Sequence, residues 1–281
     1  MKFEINTLYR DIYDDELKLK IKELMYYFED EVFKGNKVAF YYEDIESGTN
    51  ISFNPNICFY AASSIKILVC LMMFRKALDK EISLEDKVLV TMDDLKQDTG
   101  IIKYQKEDTY YSIKDLIRLT IVESDNTAYL KLVGMVSKDK LREYGLSLGA
   151  THTMEGKETD SFGIINCNDM RIYWEEVRKF INENNEYSSL FEEYLLNPSE
   201  KLIKDNSINN LPFVRKYGSY EIAYHEAGYV NDDKPYYLII LTQLNKFDYK
   251  EEFINKASIM INEIHEMVKD IVKENNSHLK K

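Results

Sequence analysis

A chain of 281 residues is long enough to bury a full hydrophobic core and to build two lobes. Apolar residues make up 44% and charged residues 31%, the balance of an ordinary globular protein and not of a fibre or a disordered tail. With 49 Asp and Glu against 37 Lys and Arg the formal charge is −12, which argues against nucleic acid or an anionic membrane as partner but leaves room for a local basic pocket.

Met1 to Asp15 has no apolar core of a signal peptide and no cleavage pattern, and no run approaches the length of a membrane span. The expectation is a cytoplasmic protein, or an exported one if a leader has been removed. Asp15 to Phe33 carries Leu17, Ile21, Leu24, Met25, Phe28, Val32 and Phe33 at helical spacing, and Gly35-Asn36 ends that helix. Lys37 to Ile45 then reads as a strand, Glu46 to Thr49 as a turn, and Asn50 to Phe53 as a paired strand.

The run Tyr60 to Cys70 follows, and it holds the first chemical signal. Ser63 and Lys66 stand three residues apart at the head of the apolar stretch Ile65 to Phe74. On a helix they share one face, with Ser63 in the opening turn where unpaired N–H groups favour negative charge. A serine hydroxyl becomes a nucleophile when a base takes its proton, and a lysine one turn away serves if burial or another cation lowers its pKa. Ser64 has Ile67 at the matching position and is the weaker candidate. Taken alone, Ser63 is far more readily read as a helix cap.

From Ile82 to about Leu196 the signals are mostly helical, with apolar stripes over Ile113–Val122, Ala128–Met135, Lys138–Leu148 and Asp169–Ile181. Ser124-Asp125-Asn126 lies at a junction of two of these stripes, a natural place for a capped helix start. Leu148 to Asn168, rich in Thr, Gly and Asn, reads as a long loop of the kind that often serves function. After Asn197-Pro198 come three strand-like segments, Phe213–Ser219, Glu221–Val230 and Pro235–Gln243, then an amphipathic helix, Tyr249–Lys273. Lys216-Tyr217-Gly218 lies on the first of these strands, where a lysine by itself suggests no more than a surface position. Cys58, Cys70 and Cys167 are widely spaced, and the four histidines form no metal-ligating pair, so neither a disulfide framework nor a metal site is expected.

Ser63-x-x-Lys66, Ser124-Asp125-Asn126 and Lys216-x-Gly218, in this order, resemble the motifs of the penicillin-recognising serine hydrolases, the class A β-lactamases and penicillin-binding proteins. Further phrases fit: Ile45-Glu-Ser-Gly through Asn54-Pro and Phe59 to Lys66 look like the strand–turn–strand entry to that family's nucleophile helix. The resemblance implies an α+β fold of β-lactamase/transpeptidase type: an antiparallel sheet flanked by the N- and C-terminal helices, with an inserted all-helical lobe. Residues 1–60 and 200–281 would form the sheet lobe and 61–199 the helical lobe, with the active site between them.

The same resemblance implies the roles. Ser63 would be acylated, Lys66 would take its proton, and Ser124 would pass a proton to the leaving nitrogen with help from Lys216. Asn126 would hold the substrate's amide side chain, and the N–H groups of Ser63 and Ser219 would form the oxyanion hole. No cofactor or metal is implied, and the partner is a small molecule, a β-lactam or a peptide ending in D-alanine.

Two departures stand out. Tyr217 replaces the Thr or Ser whose hydroxyl binds the substrate carboxylate beside Gly218, and His225-Glu226-Ala227-Gly228 on the next strand is an alternative third motif lacking the lysine. Between Leu148 and Asn168 the family's Glu-x-x-Leu-Asn pattern is missing; of Glu155, Glu158, Asp160, Asn166 and Asn168, Glu158 is chosen as the deacylating carboxylate, against the plainer reading that all are solvated. Three outcomes stay open: a β-lactamase-like hydrolase with slow deacylation, a penicillin-binding or sensor protein whose lasting adduct is its output, and a non-catalytic scaffold.

Overall fold

Strands rich in Val, Ile, Phe and Tyr at the two ends of the sequence pair with one another, and that pairing organises the molecule. The computed structural model describes residues 4–6, 15–156, 161–245 and 249–278. Strand β1 (Glu4–Asn6) precedes helix α1 (Asp15–Phe33) and the hairpin β2 (Lys37–Asp44) and β3 (Asn50–Phe53). Strand β4 (Phe59–Tyr60) runs through a 3-10 turn, Ala62–Ile65, into α2 (Lys66–Leu78). A small hairpin, β5 (Lys87–Val90) and β6 (Thr109–Ser112), leads to α3 (Ile113–Val122), α4 (Asn126–Val136) and α5 (Lys138–Ser147). Then come β7 (Ile164–Ile165), α6 (Cys167–Asn182), α7 (Ser188–Leu196), β8 (Phe213–Tyr220), β9 (Ala223–Val230), β10 (Tyr236–Gln243) and α8 (Lys250–His278).

Among the described residues one antiparallel sheet has the order β1-β3-β2-β10-β9-β8. Its central seam joins the two chain ends: β10 pairs with β2 from Tyr236 opposite Asp44 to Gln243 opposite Lys37. Helices α1 and α8 cover one face. Leu17, Ile21, Leu24, Met25 and Phe28 of α1 are buried there, each worth about 1.5–3 kcal/mol of apolar burial. The Phe28 ring lies 4.7 Å from Phe40 of β2 and 5.3 Å from Phe253 of α8. This is the α+β arrangement that the motifs imply.

The other face packs against the helices between β4 and β8. At their centre α2 is buried on every side from Lys66 to Leu71, with Met73 and Phe74 also out of solvent. A helical stretch buried on every side has no wet face, and so the lysine in this first turn is stripped of water.

The helical stretch after Ile82 is interrupted by β5 and β6, whose four-residue strands bury only Val90 and Ser112 and leave too weak an alternation to read. The loop between Leu148 and Asn168 contributes β7, in which Ile165 pairs with Phe59 of β4. Helices α4 and α6 begin at Asn126 and Cys167, two residues before the apolar stripes predict, because Asp125 and Asn166 cap them by accepting from the Ala128 and Asp169 amides. No helix among the described residues is long and apolar enough to cross a membrane.

Candidate active site

Ser63 sits in the 3-10 turn between β4 and α2, so the helix proper starts at Lys66 and not, as the spacing predicts, at the serine. The residue before it, Ala62, has φ of 46°, a left-handed conformation that a non-glycine residue adopts only when its surroundings hold it there. Ser64 is consumed by the turn, its hydroxyl donating to the Ala61 carbonyl at 2.6 Å. Ser63, 7% exposed, opens instead on a cleft of about 200 Å³.

Lys66, fully buried, donates to the Ser124 carbonyl and to Asn126 Oδ1, both at 2.5 Å, and its Nζ stands 3.3 Å from Ser124 Oγ. A neutral amine has two N–H donors and one lone pair. The three contacts match an ammonium's three donors, whereas in the neutral form the two short bonds take both donors and the lone pair is free for an incoming proton. Burial and, next, the positive charge of Lys216 hold the Lys66 amine well below its ordinary pKa.

The α3–α4 junction that carries Ser124 and Asn126 is locked from below. Ser124 takes a left-handed turn at φ of 52°. Asp125 turns away from the cleft: beyond capping α4, its Oδ2 accepts from the Ile101 and Ile102 amides at 2.7 and 2.8 Å. Gly100, at φ of 108°, passes so close that a Cβ on it would fall 2.1 Å from that same oxygen. Asn126 then spans two groups, accepting from Lys66 and donating to Asp98 Oδ2 at 2.7 Å.

Strand β8 closes the site. Although β8 is an edge strand, Lys216 is fully buried, and its Nζ donates to Ser124 Oγ at 3.0 Å and to the Tyr217 carbonyl at 3.1 Å. Burial lowers its pKa to about 7. Both lysines thus meet one hydroxyl, although the sequence separates their motifs by more than a hundred residues. Gly218 lets the strand approach the serine turn: a Cβ there would lie 2.7 Å from the Ser64 nitrogen, 3.0 Å from the Ala61 oxygen and 3.1 Å from the Ser63 nitrogen. Backbone atoms cannot swing aside, so Gly218→Ala is expected to push β8 away from Ser63. The thermal midpoint of Gly218→Ala should therefore fall by several degrees, and an unchanged midpoint would show that the close approach is irrelevant.

Ser219 and Asn126 line the cleft with Ser63, together with Tyr60, Asp98, Thr99, Phe162 and Tyr220. Sequence reasoning missed those last five. Phe162 stacks on Tyr129 at 5.1 Å, and its ring centre is 5.7 Å from Lys66 Nζ. Glu158 lies outside the described residues. Glu155 faces away, paired with His152 at 3.0 Å and Arg142 at 3.8 Å, and Asn166 is spent on capping α6. The alternative motif on β9 is structural. His225 Nδ1 accepts from the Thr242 amide at 2.9 Å, which leaves the proton on Nε2 to donate to the Tyr60 carbonyl at 2.8 Å. Burial pushes this imidazole down to about 4, so it is neutral at neutral pH.

A family model described as the beta-lactamase enzyme family matches residues 16–264. Solved structures share the fold. A PBP-A mutant, in an acyl-enzyme complex with penicillin G, superimposes with a TM-score of 0.79 at 16% identity, covering 89% of this chain and 97% of that one. A β-lactamase from Sphaerobacter thermophilus gives 0.75 at 17%, over 87% of this chain and 95% of its own. A class A β-lactamase from Bacteroides cellulosilyticus gives 0.70 at 20%, over 92% and 99%. No curated protein matches the sequence at a significant level.

Proposed function

Because the chain belongs to the beta-lactamase enzyme family, we propose that it acts as a serine hydrolase that is acylated on Ser63 by a β-lactam, or by a related amide or ester such as a D-alanyl peptide, and deacylates slowly. The observation that carries this reading is the meeting at Ser124 Oγ of Lys66 from α2 and Lys216 from β8, beneath a cleft that Ser63 lines. Two amines without water destabilise a fold. A scaffold would have no use for them.

In this reading the substrate lies between a sheet lobe, residues 1–60 and 200–281, and a helical lobe, 61–199. Ser63 Oγ attacks the carbonyl carbon while its proton passes to the Lys66 lone pair. The oxyanion is held by the N–H groups of Ser63 and Ser219, and the substrate's amide side chain by Asn126. As the C–N bond breaks, Ser124 gives its proton to the leaving nitrogen and is resupplied from the lysines. An ester on Ser63 remains. Slow deacylation is favoured by Phe162, an apolar ring beside Lys66 where a carboxylate would be needed to activate water.

The adduct formed with a fluorescent penicillin tests both halves. It should appear on the wild type, be absent from Ser63→Ala, and persist for hours. Loss within minutes would contradict slow deacylation and point to Glu158. No adduct would contradict the reading altogether.

The rate of acylation should depend on pH with a definite sign. Lys66 accepts a proton only when neutral, a form that its lowered pKa favours, whereas Lys216 donates to Ser124 most strongly as an ammonium. Acylation is therefore expected to fall as the pH rises through about 7 and Lys216 loses its proton. Lys216→Arg keeps the charge and should remove that alkaline limb, even if the overall rate drops. Stopped-flow acylation across the pH range reads this directly, and a wild-type rate still climbing above neutrality would contradict it.

A further inference from the structure

The rim of the cleft formed by β8 is built differently from one that receives a substrate carboxylate. The ring of Tyr217 lies 3.9 Å from Lys216 Nζ, and neither residue lines the cleft. The ammonium is thus covered by its neighbour. The phenol is already engaged, between the side chains of Ser124 and Glu200. Its single proton goes to the Glu200 carboxylate, which is exposed at the end of the segment after α7. The opening itself is lined by an exposed carboxylate, Asp98, each of whose oxygens accepts one hydrogen bond, from the Thr99 amide and Asn126 Nδ2. Lys103 is close but is spent on the Asp98 carbonyl at 2.6 Å. Arg215, on β8 itself, is buried on the far side, against Asp205 and the Ile203 carbonyl.

Resting on the acylation reading of the same cleft, we propose that its β8 rim selects substrates that carry an uncharged or cationic group where β-lactams carry a carboxylate. One carboxylate, Asp98, lines the opening, a second, Glu200, is exposed beyond the Tyr217 phenol, and the Lys216 ammonium beneath is covered. A substrate anion would lose its water without gaining a counter-charge. An ester, an amide or an ammonium would not, and an ammonium would gain the attraction of Glu200 and Asp98. Tyr217 and Glu200 are specificity residues in this account and take no part in bond breaking.

Binding of three ligands to Ser63→Ala tests the proposal without any chemistry: benzylpenicillin as the free acid, its methyl ester and its choline ester. The choline ester should bind about tenfold tighter than the free acid, with the methyl ester between, and added salt should compress that order. Glu200→Gln, an exposed substitution, should narrow the gap, and Tyr217→Thr combined with it should favour the free acid. Equal affinities, or tightest binding of the free acid by Ser63→Ala, would overturn the proposal. Adduct formation on the wild type is scored separately: its absence with all three compounds sinks the acylation reading, while the binding order still judges the rim.

Discussion

Lys216→Met is expected to lower acylation of Ser63 by about 10²–10³-fold and, in the same protein, to raise the thermal midpoint by several degrees. The two effects have one cause. Lys216 is out of water, and its pKa falls from 10.5 to about 7. Between those values the unfolded chain holds a proton that the folded chain does not, so wild-type stability drops as the pH falls through this window. Below about 7 the full cost of burying the charge is present. Methionine fills similar volume without charge. The net gain at neutral pH, after the lost bond to Ser124, is on the order of 2–4 kcal/mol. Melting at neutral pH and near pH 10 checks the sign: the gain should shrink at the higher pH. A less stable variant would mean that Lys216 is there for the fold.

The second large effect is expected at Phe162. Replacing it with glutamate sets a carboxylate beside Lys66 and the Ser63 ester, where it can take a proton from water. General-base assistance of this kind typically contributes 10²–10⁴-fold. The adduct lifetime should fall by about 10²-fold in Phe162→Glu and stay long in Phe162→Leu, which separates a base from a mere opening of space. Pulse-labelling followed by chase with unlabelled penicillin reads both. Equal lifetimes for the two variants would show that water is already activated elsewhere.

The residues proposed to carry the chemistry were legible because they come as short local patterns. Ser63 with Lys66, Ser124 with Asn126, and Lys216 with Gly218 each announce themselves by residue type and spacing; the structure joins Lys66, Ser124, Asn126 and Lys216 by hydrogen bonds and sets Ser63 and Asn126 in the wall of one cleft. The sheet was legible for a similar reason, since eight-residue strands such as β2 and β10 carry long apolar runs.

What escaped depends on tertiary placement. Asp98 is an exposed loop residue whose meaning comes only from Asn126, 28 positions later. Its nearest local hint is Gly100, whose left-handed backbone marks a tight approach. Phe162 and Tyr220 look like core or strand aromatics until the loop and the hairpin bring them to the cleft. The left-handed turn at Ala62 has no signature at all, because alanine does not favour it. Tyr217 was visible as a departure, but its effect on Lys216 was not: which side of an edge strand is covered is decided by partners far away in sequence.

Peptide mapping after a brief exposure to benzylpenicillin tests the central claim most directly. The account predicts the acyl mass on the peptide that contains Ser63, with fragmentation assigning it to that residue and not to Ser64, and no label at this site in Ser63→Ala. An unmodified wild-type peptide, or an acyl group that stays in place when Ser63 is replaced, would contradict it.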